Sequence, residues 1–382
     1  MTNLADEDRR SDGGVGSDDP AVVATPELTR STRDHAELRK VIERWLAERV
    51  DSPAVGELTV PGNGMSSETV LFDATWREER AVVGAELVVR LAASQDAVPV
   101  FTNYDLESQY RVIEAVGRHT RAPVPRLRWL ETDPAHLGCE FFVMDRIHGE
   151  VPPDVMPYPM ESWLLDAGAA RQRHLQDATV DVLAEIHSTP IAGLDFLELD
   201  QPGDTALRRH VNHWLEYTSW VRQGRTVGLL DRAEAWLEAH WPTDADRAQP
   251  ALSWGDARIG NVMYSNFEPV AVLDWEMAGI APREVDLGWM TFLHTFFQDI
   301  TEVFELPGMP DFMDTADVVS RYEAASGAEV DDIAWFRTWA AYRHAAIMVR
   351  IRDRQVHFGE EEPAPPEEAI MHAARLEQMI DS

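Results

Sequence analysis

Three oxygen-bearing side chains stand near the middle of the chain at spacings that suit phosphate chemistry. Asn261 follows Asp256 by five residues, and Asp274 follows Asp256 by eighteen. Residues 262–275 between them read VMYSNFEPVAVLDW, two short apolar runs around a polar turn, which predicts a β-hairpin. Carboxylate and amide oxygens are suitable ligands for Mg²⁺. Phosphoryl transfer needs such a set, with one Asp to orient a hydroxyl and an Asn and an Asp to hold metal against the phosphates.

The longer stretch ALSWGDARIGNVMYSNFEPVAVLDWEMAG, residues 251–279, resembles the catalytic and metal-binding segments of the aminoglycoside phosphotransferase family. That family usually shows H-G-D-x-x-x-x-N, then a short hairpin and an Asp. The words LDWE at 273–276 and REVDLGW at 283–289 are most similar to the branch related to acyl-CoA-dehydrogenase-associated kinase-like domains. The competing interpretation is an acidic turn followed by a strand, since Asp and Asn are common in turns.

This resemblance implies an α+β, protein-kinase-like fold of two lobes. The small lobe would hold an antiparallel sheet and one main helix over residues 35–144, and the larger, mostly helical lobe would cover residues 145–382. Residues 1–34 carry Asp, Gly, Ser and Glu with few large apolar side chains. We expect that first segment to be disordered or loosely attached.

Composition excludes several other classes of protein. The chain of 382 residues carries a formal net charge of −33, which opposes binding to a nucleic-acid backbone because that needs clustered Lys and Arg. A negative surface favours solubility and fits a cationic substrate. Cys139 is the one cysteine, so no intrachain disulfide forms. No apolar run reaches bilayer-spanning length, and the start of the chain does not read as a signal peptide. We therefore expect a cytoplasmic protein without membrane insertion.

A glycine-containing turn lies early in the predicted small lobe, between two strand-like runs in residues 57–76. Its sequence is Gly62-Asn63-Gly64-Met65-Ser66-Ser67. Glycine lets backbone N–H groups approach phosphates, and the serines add donors. Such a turn is a plain hairpin more often than a nucleotide loop, but its place in a kinase-like lobe favours phosphate binding by Gly62, Gly64, Ser66 and Ser67.

Lys40 is the one lysine of the chain, so a kinase-like site must use another cation. The resemblance places Arg90, at the end of the predicted strand AELVVRL, where the residue that contacts the α- and β-phosphates is expected. Arginine provides a fixed, fork-shaped phosphate donor; the alternative is a surface arginine. Gln109 stands where the family has the glutamate that pairs with this cation, and Glu107 or Glu114 can substitute for it.

The resemblance also assigns the connector between the lobes, EFFVMDRIHG at 140–149, to adenine. Met144 would line the pocket, while the Asp145 carbonyl and the Ile147 N–H would form its hydrogen bonds. A simple exit from a strand into a loop is the alternative interpretation.

The resulting hypothesis is ATP-dependent phosphorylation of a hydroxyl on a small molecule. Asp256 would orient the hydroxyl, Asn261 and Asp274 would hold Mg²⁺, and Arg258 would contact the transferring phosphate or a loop carboxylate. Trp254 stands where the family usually has His, and Asp286 is expected to brace the catalytic loop at a helix start. One alternative is a nucleotide-binding pseudokinase or binding module, and another is a lipid-like or acyl-thioester-linked acceptor. No feature of the sequence predicts an oligomeric state.

Overall fold

A computed structural model describes residues 33–60, 67–92 and 98–381. Gly62, Gly64 and Ser66 of the predicted phosphate loop lie outside the described residues, and of Ser67 the backbone alone is described. The role of that loop therefore stays a prediction.

A five-stranded antiparallel sheet forms the first part of the chain, in the order β1-β2-β3-β5-β4. Its strands are β1 (Asp51–Val55), β2 (Ser67–Glu78), β3 (Ala81–Ala92), β4 (Leu127–Glu131) and β5 (Phe141–Asp145). β2 and β3 form a long hairpin in unbroken register, from Ser67 opposite Ala92 to Glu78 opposite Ala81.

One helix covers each face of this sheet, and the strand alternation decides which residues meet which helix. Helix α1 (His35–Leu46) packs on the face that buries Leu87, Val89 and Leu91 of β3. Helix α2 (Leu106–His119) packs on the opposite face, which carries Val88 of the same strand. Arg90 lies two residues after Val88 on the same strand, so its side chain is directed to the same face of the sheet, the one that α2 covers.

The second part of the chain is mostly helical, and its longest helices pack together in one apolar core. The helices of this part are α3 (Ala169–His187), α4 (Ala206–Arg222), α5 (Gly228–Ala239), α6 (Thr243–Arg247), α7 (Glu284–Val303), α8 (Thr315–Ser326), α9 (Ile333–His357) and α10 (Ala373–Ile380). Across the three described ranges, none of the helices has both the length and the apolar character that a bilayer-spanning segment needs.

Two short antiparallel pairs interrupt the helices and fix the loops that carry the acidic residues. β6 (Ala251–Ser253) pairs with β9 (Gly279–Ala281), and β7 (Val262–Ser265) pairs with β8 (Glu268–Val272). Asn266 and Phe267, with φ of 51° and 67°, form the turn between β7 and β8, as two-residue hairpins require. The predicted hairpin is confirmed. Residues 254–261 and 273–278 therefore form two loops, each held at both ends by strand pairing.

Helices α7 and α9 come into close contact at Gly288. A Cβ added there would lie 2.6 Å from the backbone carbonyl carbon and oxygen of Phe336. Because backbone cannot move aside as a flexible side chain can, the close contact of the two helices depends on the missing side chain.

We predict that Gly288→Ala lowers the free energy of unfolding by about 1–3 kcal/mol, since the extra methyl group overpacks the interface. Urea denaturation measures the change as a shift of the midpoint at constant slope. Gly228→Ala in α5 is the control, because its added Cβ meets no described atom within 4 Å. Equal midpoints for the two variants would contradict this account of the packing.

Candidate active site

The start of the loop 254–261 is held in place by the buried carboxylate of Asp286. Asp286, in the first turn of α7, has no exposed surface. It accepts hydrogen bonds from Ser253 Oγ at 2.9 Å, from Trp254 N at 2.7 Å and from Gly255 N at 2.9 Å. His187 Nε2 lies 2.9 Å from the same carboxylate. Asp286 thus braces the loop, as the sequence predicts, and it does so through two backbone N–H groups next to Asp256.

Gly255 lets the two loops touch. Its φ of +90° lies in the region that favours glycine. A Cβ at this position would come within 2.0 Å of the Met277 carbonyl oxygen. A side chain here would force the loops apart, so the residue before Asp256 has to be glycine in this arrangement.

Three donors hold the carboxylate of Asp256. Asn261 Nδ2 donates to Oδ2 at 2.7 Å and Arg258 Nε donates to the same oxygen at 3.1 Å. Trp289 Nε1 donates to Oδ1 at 2.6 Å. The side chain of Asp256 is 15% exposed, so a substrate can still reach it. The predicted catalytic Asp is therefore fixed in orientation and accessible at the same time.

Asn261 is oriented by Asp256. Its Nδ2 also donates to the Asp256 backbone oxygen at 3.1 Å, so both amide hydrogens are directed to one residue. The amide oxygen is the atom that remains for a metal ion. The backbone continues the connection, since Leu273 N donates to Asn261 O at 2.8 Å. This bond places the start of the second loop beside Asn261.

Asp274 adopts a left-handed backbone conformation with φ of 57°. Its Oδ1 lies 3.5 Å from Arg90 Nη2, and the two side chains are 28% and 14% exposed. Neither Asp274 Oδ1 nor Arg90 Nε has a hydrogen-bond partner in the described ranges, although both atoms are buried. The predicted metal ligand and the predicted phosphate-binding cation therefore face each other across the cleft between the sheet and the helical part.

The residues of this site fit a Mg²⁺ ion that is bound by few protein ligands together with substrate phosphates. No group of three or more His, Cys, Asp or Glu side chains in the described part of the chain is arranged to hold a metal. Mg²⁺ does not need such a cage, because it is usually bound by one or two carboxylates together with substrate phosphates. Asp274 and the Asn261 amide provide hard oxygen ligands of this kind.

A cavity lies beside Arg90 and Asp274. Its lining includes Gln109, Met144 and Trp275. Gln109 is buried, and its Nε2 has no hydrogen-bond partner among the residues that the structure describes. Arg90 pairs with Asp274, whereas Glu114 pairs with Arg118 at 3.4 Å. The helix–strand pair considered for Glu107, Gln109 or Glu114 is replaced here by the Arg90–Asp274 contact.

The connector after β5 carries the residues that are expected to bind adenine. Asp145 receives hydrogen bonds at its carboxylate from Arg128 Nε at 2.5 Å and Nη2 at 3.2 Å. Neither Asp145 nor Ile147 lines the cavity that Met144 lines. Their backbone roles in binding adenine stay a prediction.

Arg258 bridges two carboxylates. Its Nη1 pairs with Asp154 and its Nε with Asp256. Burial acts to lower the pKa of the guanidinium, but Asp256 and Asp154 outweigh burial and raise that pKa above its ordinary value. Sequence reasoning missed Asp154, whose one signal was an acidic residue in the proline-rich segment at 151–162. Of the two options left open for Arg258, the structure contains the contact with a loop carboxylate.

Trp254 connects the two loops. Its Nε1 donates to the Leu273 oxygen at 2.9 Å and to the Asp274 oxygen at 3.2 Å. The indole, 1% exposed, therefore ties the backbone beside Asp256 to the backbone of the predicted metal ligand. A structural role for this position agrees with the sequence-based expectation.

We predict that Asp286→Asn lowers the free energy of unfolding by about 2–3 kcal/mol, because an amide keeps the shape but directs N–H groups at donors. Chemical denaturation measures this loss. Asp317→Asn is the control, since Asp317 forms an exposed pair with Arg173 and such pairs contribute about 0–1 kcal/mol. A loss at Asp286 no larger than at Asp317 would refute the bracing role.

Comparisons with known proteins agree with this architecture. Among solved structures, one from Ralstonia eutropha JMP134, provisionally assigned as an aminoglycoside phosphotransferase, superposes with a TM-score of 0.64 at 21% identity, covering 89% of this chain and 96% of that one. A thermostable mutant of an aminoglycoside phosphotransferase, in ternary complex with ADP and hygromycin B, gives a TM-score of 0.52 at 14% identity, covering 89% and 98%. These likenesses confirm the predicted kinase-like fold.

Curated sequences add a second relationship. The Arabidopsis thaliana protein IBR3, described as a probable acyl-CoA dehydrogenase, is 24% identical over 348 residues, which cover 86% of this chain and 40% of IBR3. This chain thus spans about two fifths of the length of that relative. The model of the phosphotransferase enzyme family, APH, matches residues 57–343, about three quarters of the sequence, and the matched range contains Arg90, Asp256, Asn261 and Asp274. The chain belongs to the phosphotransferase enzyme family.

Proposed function

We propose that this protein is an ATP-dependent phosphotransferase that phosphorylates a hydroxyl group of a small molecule. The observation that carries the proposal is the carboxylate of Asp256, held by three donors in a loop that is bonded to the loop of Asp274. Phosphoryl transfer depends mainly on such positioning and on stabilisation of charge.

Nucleotide binding is assigned to the cavity between the sheet and the helical part. Met144 provides an apolar wall, while Arg90 and Gln109 Nε2, which has no hydrogen-bond partner among the described residues, provide donors for phosphate oxygens. The ADP in the ternary complex of a structural neighbour supports nucleotide binding by a protein of this fold. We also assign the backbone of residues 62–67 and the connector at 145–147 to this nucleotide.

Mg²⁺ would be held by Asp274 and by the amide oxygen of Asn261. When bound, it would neutralise charge on the phosphates. Arg90 would then direct its guanidinium to phosphate oxygens, for which its planar fork is suited. Arg258 would remain with Asp154 and Asp256, where it fixes the loop that carries the catalytic carboxylate.

The acceptor is proposed as an alcohol, and two chemical classes are favoured by different observations. The net charge of −33 favours a cationic acceptor such as an aminoglycoside or an amino alcohol. The similarity to a probable acyl-CoA dehydrogenase favours a hydroxyacyl compound. A screen of ADP production over aminoglycosides, amino alcohols and hydroxyacyl compounds distinguishes the two.

A nucleotide-binding pseudokinase is the second candidate. Gln109 cannot neutralise Arg90, and Arg90 instead contacts Asp274, so the usual ion pair between helix and strand is replaced. The arrangement of Asp256, Asn261 and Asp274 favours the active enzyme. A protein that binds Mg·ATP without turning it over would support the pseudokinase.

We predict that Asp256→Asn impairs turnover, whereas Asp274→Ala impairs the Mg²⁺-dependent binding of ATP. Asp256→Asn should keep Mg·ATP affinity within about twofold and lower turnover by about 10²–10⁴-fold, because Asp256 acts on the hydroxyl in the transition state. Asp274→Ala should abolish the gain in ATP affinity that Mg²⁺ produces. Calorimetry measures affinity, and phosphoryl transfer to water or to a confirmed acceptor measures turnover. Wild-type turnover in Asp256→Asn would make the catalytic assignment wrong.

We predict that Arg90→Ala weakens ATP binding by about tenfold and that Arg90→Lys restores part of the loss, since lysine keeps the charge without the fork. Calorimetry with ATP, with and without Mg²⁺, gives both values. Arg77→Ala, at an exposed position on the neighbouring strand β2, is the control and should bind ATP as the wild type does. Equal affinity in Arg90→Ala and wild type would show a surface role for Arg90.

A further inference from the structure

Trp289 contacts the predicted catalytic carboxylate from the interior of the helical part. It lies three residues after Asp286 on α7, so both side chains occupy one face of the helix. Asp286 holds the backbone before Asp256, and Trp289 Nε1 holds Asp256 Oδ1 at 2.6 Å. Trp289 is 2% exposed, so water does not compete for this bond.

A buried cation lies on the face of the same indole. The Arg343 guanidinium carbon is 4.5 Å from the ring centroid of Trp289 and 4.4 Å from that of Trp214. Arg343 has no exposed surface, and its Nη2 donates to the Gly255 oxygen at 3.2 Å. Arg343 therefore contacts both the residue before Asp256 and the indole that binds the Asp256 side chain.

Arg343 keeps its charge in this setting. Burial lowers the pKa of the guanidinium to about 10, against the raising effect of Asp286 and Asp256, so it is protonated at neutral pH. A cation over an aromatic face attracts its electrons, and linked polar groups in a dry interior polarise one another. The N–H of Trp289 is thereby a stronger donor to Asp256.

The oxygen atoms of Asp256 are occupied unequally. Each carboxylate oxygen has two acceptor sites. Asn261 and Arg258 both donate to Oδ2, whereas Trp289 alone among the described hydrogen bonds donates to Oδ1. The second acceptor site of Oδ1 is the one left for a substrate.

We propose that Trp289 and Arg343 are positioning residues, which turn Asp256 so that Oδ1 accepts the hydrogen bond of the acceptor hydroxyl. This inference rests on the proposed phosphotransferase function. A purely packing role is the competing explanation, because Trp289 also belongs to the apolar core of the helical part.

The decisive comparison is Trp289→Phe against Trp339→Phe. Phenylalanine keeps an aromatic face for Arg343 but removes the N–H that binds Asp256. Trp339 is equally buried, and its Nε1 has no hydrogen-bond partner in the part of the chain that the structure describes. Both variants lose the same atoms from a core, so their unfolding midpoints in urea show how much of any effect is packing.

We expect Trp289→Phe to lower hydrolysis of Mg·ATP, with water as the acceptor, by about 10–100-fold, since small misplacements of a catalytic group have effects of that size. Its affinity for Mg·ATP should stay within about twofold of wild type, and Trp339→Phe should retain wild-type turnover. Wild-type turnover in Trp289→Phe, or an equal loss in both variants, overturns the inference.

A second measurement reads the contact without activity. The ¹H–¹⁵N indole resonance that Trp289→Phe removes should shift upfield and exchange faster in Asp256→Ala, whereas the resonance that Trp339→Phe removes should not move. An unmoved Trp289 resonance shows that the contact is absent. This result refutes the inference about Trp289 and Arg343 but leaves the proposed phosphotransferase function intact. A wild-type protein that neither binds nor hydrolyses Mg·ATP refutes the proposed function, and the inference with it.

Discussion

The arrangement of the site depends on one buried charge. Asp286 has no exposed surface, yet it accepts from two backbone N–H groups and a serine hydroxyl, with His187 against the same carboxylate. Burying a carboxylate is costly unless hydrogen bonds satisfy it. The loop therefore has to present these N–H groups to α7, and this contact fixes the backbone position of Asp256. Asn261, Arg258 and Trp289 then act on a carboxylate that is already in place.

Much of this could be predicted from the sequence, because it follows from short-range rules. The apolar alternation around a turn predicts the hairpin, and the hairpin is what carries Asp274 back toward Asn261. The parity of β3 directs Arg90 away from the face that buries Val89. These inferences use neighbours along the chain or a period of two.

The contacts that the sequence did not reveal join residues that are far apart in the chain. Arg258 pairs with Asp154 across 104 positions, and Arg343 reaches Gly255 across 88. No local pattern marks such partners, since they are set by how distant segments of the chain pack together. Arg90 is the clearest example, because a helix partner was expected and Asp274 is found. Charge and burial select such pairs, and both become visible only in three dimensions.

Strand pairing at both ends of the two loops also affects conformational entropy. Ordering a residue costs about 1–2 kcal/mol, and here residues 254–261 and 273–278 are ordered by β6–β9 and β7–β8 during folding. Little of that freedom is left to lose when a substrate arrives. Under the proposed function, an acceptor that makes few contacts can thus still be aligned with Asp256. The entropic cost of ordering the two loops is met when the chain folds. Mutations that loosen these strand pairs should therefore destabilise the whole chain before they change what it binds.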